Sequence, residues 1–123
     1  MNLLVICIAL LVVATKGLDC LTTLRAVPVA AAETNPLARR IMHRLGVHRS
    51  VALVFVLATI WTCALATVTI LVDSAVYAAL FVGLGLFVAT VQAAVAHTNW
   101  TGRDNAITSR VLHCHRAAAR WIR

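Results

Sequence analysis

Charged residues are few. Asp, Glu, Lys and Arg make up 12% of the 123 residues, the acids number four, and Lys16 is the one lysine. An ordinary soluble domain carries about 25%. The shortfall, with 62% hydrophobic residues and a mean hydropathy of +0.92, excludes that class and places the chain among membrane proteins. Catalytic sets are missing too. The chain has no Gly-x-Ser-x-Gly, no His-Glu-x-x-His, no phosphate loop and no Ser/His/Asp combination, so nothing points to an enzyme. No cysteines are spaced as Cys-x-x-Cys, which excludes a disulfide framework and a zinc ribbon. Cys7, Cys20, Cys63 and Cys114 are expected to be free thiols, buried by default. The length leaves room for one small domain.

The formal net charge is +7. The basic residues form two blocks beside apolar runs, without the aromatic interleaving of a nucleic-acid groove. Anionic lipid head groups are therefore the expected partner, and nucleic acid is not.

The predicted fold is all-α and integral to the membrane: three transmembrane helices plus two basic amphipathic interfacial helices, in a single domain. The run from Leu3 to Thr15 is too short to cross alone, since a span takes about 20 residues at ~1.5 Å each. The first span therefore continues to about Leu24 and carries Lys16 and Asp19 into the hydrocarbon layer. The segment lacks a basic leader region and a small-x-small cleavage site, so it reads as a retained anchor. Pro28 is expected to end it. Asn35-Pro36 then starts a helix, with Asn as N-cap and Pro at the first position. Over 36–45, Leu37, Ile41 and Leu45 share one side while Arg39, Arg40, His43 and Arg44 take the other, as in a helix lying in the interface plane.

The second span, about 50–72, has no formal charge. Its Thr59, Thr62, Thr67 and Thr69 are expected to bond back to their own helix. Asp73-Ser74 makes a tight turn into the third span, about 75–96. That span carries two rows of small residues at fourfold spacing, Ala75, Ala79, Gly83 and Gly85, Ala89, Ala93, which allow close helix approach. A final amphipathic helix is expected over 105–123, capped by Asp104 or Asn105. Arg110, Arg116, Arg120 and Arg123 lie on its polar side, and Trp121 is an interfacial anchor. With Arg39, Arg40, Arg44 and Arg49, these arginines are the expected lipid head-group contacts. The segment between spans two and three has no Lys or Arg. The positive-inside rule then puts the N-terminus outside and the C-terminus in the cytoplasm of a cell's inner membrane.

Lys16 and Asp19 stand three apart and can pair on one helix face, with Thr22 and Thr23 one turn on. Ionisable residues within a span point either to function or to a pair that holds the bundle in register. His97 with His43 or His48 near one membrane face, and His113-Cys114-His115, hold ligand-type side chains. None has the matched spacing of a haem or metal site, so neither metal nor cofactor is expected. Asn99-Trp100-Thr101 matches a glycosylation sequon but falls on the cytoplasmic side of this topology.

Asp19, Thr22-Thr23 and then Glu33-Thr34-Asn35-Pro36 and Gly46 resemble a family of small bacterial and archaeal membrane proteins of unknown function. These carry Asp-x-x-Thr-Thr followed by Glu-x-Asn-Pro, over about the first half of this chain. The lysine common in that family's second span has no counterpart here, where only Arg49 precedes the span. The resemblance implies a three- or four-helix membrane fold, and it groups Asp19, Glu33 and Asn35 as one constellation. Glu33 is expected to favour the start of the helix that Asn35 caps. The leading expectation for function is a non-enzymatic accessory or scaffold subunit of a larger membrane assembly, joined to other subunits or to its own copies. Alternatives are a holin-like phage pore-former and a small carrier or proton relay using Lys16 and Asp19.

Overall fold

In the computed structural model, which describes residues 1–33, 35–103 and 105–110, four α-helices follow one another. They are α1 Asn2–Ala26, α2 Pro36–Leu45, α3 Val47–Val72 and α4 Ala75–Thr101, with a 3₁₀ turn at Ala30–Ala32 before α2. Three of them, α1, α3 and α4, are long and apolar enough to cross a membrane.

Local chemistry sets the boundaries. α1 ends at Ala26, where the Val27 N–H bonds to the Thr23 carbonyl at 2.8 Å, one residue before Pro28, which cannot continue the ladder. Asn35 caps α2, its Oδ1 accepting from the Leu37 and Ala38 N–H groups at 3.0 and 3.4 Å. Gly46 adopts φ 82°, ψ 155°, a region essentially reserved for glycine, and so turns α2 directly into α3. The second span therefore begins three residues earlier than the sequence pattern predicts and takes His48 and Arg49 into the helix. α4 runs on past Ala96 to Thr101, because no breaker intervenes before Gly102 (φ 68°). Asp73, at φ 47°, makes the left-handed corner between α3 and α4. Gly46→Ala is expected to cost about 1–3 kcal/mol through backbone strain, read as a lower unfolding midpoint of the purified protein.

α1 is the central helix. It runs parallel to α4, with Ile8 and Val12 clustered with Ala89, and antiparallel to α3, with Val5 against Ala66 at one end and Cys20 against Val51 at the other. The described arginines flank the end where α1 and α4 finish and α3 begins, while Asp73 lies at the opposite end. α2 folds back onto this arginine-rich end and buries Met42 against Cys20 and Val51. Arg39, Arg40, His43 and Arg44 are exposed, and so are Leu37 and Leu45, whereas Ile41 is half-buried.

After Gly102 the chain returns to α4. Asn105 Nδ2 donates to the Ala94 carbonyl at 2.7 Å, and its Oδ1 accepts from the Ile107 and Thr108 N–H groups. It thereby caps a helical stretch over 106–110, in which Arg110 is exposed. The expected positions of Arg116, Arg120, Trp121 and Arg123, with His113, Cys114 and His115, lie outside the described residues.

The small residues of α4 are distributed differently from the expected rows. Gly85 and Ala89 are buried, together with Ala78 and Ala96, whereas Ala75, Ala79, Gly83 and Ala93 are exposed. Fourfold spacing advances about 40° beyond a full turn at each step, so a row of fours drifts off any one face. With the half-buried Val82 and Gln92, the buried residues follow a mixed three-and-four spacing, 78-82-85-89-92-96, that stays facing α1. A methyl built on Gly85 would collide with Ile8 Cγ2 and approach Val12 Cγ2 to 3.5 Å, while one on Gly83 meets open space. Two of the cysteines also differ from expectation: Cys7 and Cys63 are exposed, and only Cys20 among the three described is buried. Both thiols lie on outward faces of the bundle.

Candidate functional site

On one face of α1 the residue sequence Lys16-x-x-Asp19-Cys20-x-x-Thr23 repeats at helical spacing, so all four side chains project into one groove. Lys16 Nζ donates to Asp19 Oδ2 at 2.7 Å, with the two side chains 18% and 14% exposed. The pair borders a cleft of about 380 Å³, within the small-molecule range. α3 contributes Ser50, Val51 and Val54, and α2 with its leading loop contributes Glu33, Asn35, Leu37, Ala38, Ile41 and Met42.

The structure thus brings Lys16, Asp19, Thr23, Glu33 and Asn35 to one place, although nine residues of chain separate Thr23 from Glu33. Glu33 Oε1 accepts from the Asn35 N–H at 2.8 Å, so Glu33 holds the residue that caps α2. Thr22 is not part of the cleft. Its hydroxyl turns back to the Leu18 and Asp19 carbonyls at 2.9 and 3.0 Å. Pro36 and the α2 residues Arg39, Arg40, His43 and Arg44 border a separate basic groove on the outer side of that helix.

Sequence reasoning missed a line of polar contacts that joins α1 to α4. Thr15 Oγ1 donates to Gln92 Oε1 at 2.7 Å, Asn99 Nδ2 donates to Thr23 Oγ1 at 3.1 Å, and the Arg25 guanidinium stands 4.3 Å from the Trp100 ring centroid. Each is a polar or cationic contact that adds specificity to the apolar packing of the two helices. The available signal was register. Gln92 and Asn99 are seven apart, two full turns, as are Thr15 and Thr22 beside Thr23. Thr62, Thr67 and Thr69 do bond to their own helix carbonyls at 2.8–2.9 Å. Thr59 Oγ1 is buried without a partner among the described residues. Among those residues no three His, Cys, Asp or Glu side chains converge as metal ligands.

Compared with protein-family models, curated proteins and solved structures, the chain matches none.

Proposed function

We propose that the chain is a non-enzymatic integral membrane protein that packs laterally, as an accessory or scaffold subunit, into a larger membrane assembly. The observation that supports this most is a second, unused small-residue face on α4. Ala75, Ala79, Gly83, Thr90 and Ala93, interrupted by Leu86 and continued by His97 and Thr101, share one side and are all exposed. Buried small residues on the neighbouring side show what such positions do in this molecule: at Gly85 and Ala89 they let α1 approach closely. In lipid, where helix association depends on close packing, an equivalent open lane favours a further helix.

The orientation belongs to the same proposal. The arginine-rich end faces the cytoplasm and the Asp73 corner faces outward, in the inner membrane, with α2 and the basic tail against anionic head groups. The resemblance to the small membrane proteins with Asp-x-x-Thr-Thr and Glu-x-Asn-Pro supports the same class and assigns no activity.

A photo-reactive amino acid placed at Ala79, with one at Leu80 as the off-face control, tests the lateral contact in native membranes. Cross-linking from Ala79 to a distinct membrane protein, with only lipid adducts from Leu80, is the expected result. Cross-linking of Ala79 solely to a second copy of the chain would transfer support to the pore-former.

A further inference from the structure

Two of the four acidic residues in a chain of net charge +7 line the cleft, facing one ammonium. Lys16 answers Asp19, but Glu33 has only the Asn35 N–H as partner among the described residues. A carboxylate has room for about four acceptor contacts, so most of the acceptor capacity of Glu33 is unspent. Within the lining the excess is negative, two carboxylates to one ammonium. Beside this polar end, Ile41, Met42 and Val54 form an apolar wall. The two halves are those of a site for an amphiphile whose head is cationic and donates hydrogen bonds.

We propose that the cleft binds an amphiphile bearing a primary ammonium, its head between Asp19 and Glu33 and its hydrocarbon along Ile41, Met42 and Val54. A primary ammonium has three N–H donors, enough to reach both carboxylates and the Asn35 side chain or the Ser50 hydroxyl. A quaternary head has the charge and no donor. The same chemistry is supplied by a free long-chain amine or by an ethanolamine-headed lipid. The proposal does not depend on lateral association through α4.

The test is a native mass-spectrometric titration of the full-length protein in mild detergent with dodecylamine. One saturable equivalent per chain is expected, weakened about tenfold or more by Glu33→Gln, as for loss of a charged hydrogen bond. Glutamine keeps the oxygen that accepts from Asn35, so this variant retains the α2 cap. Dodecyltrimethylammonium should bind as weakly to the wild type as dodecylamine does to the variant. Displacement by a short-chain phosphatidylethanolamine, and not by the phosphatidylcholine, would identify a lipid source; failure of both to displace would identify a free amine. Non-saturable uptake, equal binding by wild type and Glu33→Gln, or tighter binding of dodecyl sulfate would overturn the proposal.

Discussion

Asp19→Asn is expected to destabilise the bundle by about 3–5 kcal/mol, because it leaves the largely buried Lys16 ammonium without its hydrogen-bonded counter-ion. The pair is short, 2.7 Å, and both side chains are largely buried, so water does little to replace the lost carboxylate. Lys16→Met strands Asp19 in the same way and should cost a similar amount. The double variant Lys16→Met/Asp19→Leu removes both charges together and is expected to return to wild-type stability or above it, as buried pairs replaced by apolar residues often do. The readout is the unfolding midpoint of the detergent-solubilised protein followed by helical signal. Such a pattern marks the pair as a device for position or binding rather than for stability. A single Asp19→Asn variant as stable as the wild type would mean that the pair is solvated through the cleft and is not part of the packed structure.

The second large effect separates the two sides of α4. Gly85→Leu pushes a side chain into Ile8 Cγ2 and Val12 Cγ2. Both neighbours are β-branched and stiff about χ1, so relief requires α1 and α4 to move apart. The cost is expected near the upper end of overpacking, about 3 kcal/mol. The parallel polar contacts from Thr15 to Gln92 and from Thr23 to Asn99 would lengthen with it. Gly83→Leu meets open space and replaces a poor helix former, a gain of up to about 1 kcal/mol in a helix interior. The isolated protein should therefore be no less stable than the wild type. On the proposed function, the same substitution fills the open small-residue lane and weakens lateral association. A variant pair in which Gly83→Leu unfolds the isolated protein and Gly85→Leu does not would reverse the assignment of faces.

Much of the architecture is legible from the residues in order. The three long apolar runs, the Asp73 corner and the Asn35-Pro36 start each rest on local chemistry: length, a left-handed turn, a side-chain cap. The constellation of Asp19, Glu33 and Asn35 was also within reach, and the structure adds the cleft that they border. What was not legible depends on which side of a helix meets which neighbour. A spacing of four lines up the small residues of α4 in two rows, and true packing faces alternate three and four. Ala75, Ala79, Gly83 and Ala93 therefore fall outside the α1 contact that Gly85 and Ala89 make. The pairing of α1 with α4 escaped for the same reason. In an apolar sequence Gln92 and Asn99 announce polar contacts but not their partners, and the parallel arrangement follows only once α3 has turned the chain at Asp73. Thr22 and Thr23 are adjacent in sequence and 100° apart on the helix, which is why one bonds to its own backbone and the other joins the site.

Extraction of the native membrane in mild detergent, followed by size separation and mass spectrometry of what migrates with the protein, tests lateral assembly most directly. Co-migration with a defined larger complex at fixed stoichiometry, lost in Gly83→Leu, is the predicted result. Migration as a monomer, or as a homo-oligomer indifferent to Gly83→Leu, would contradict it.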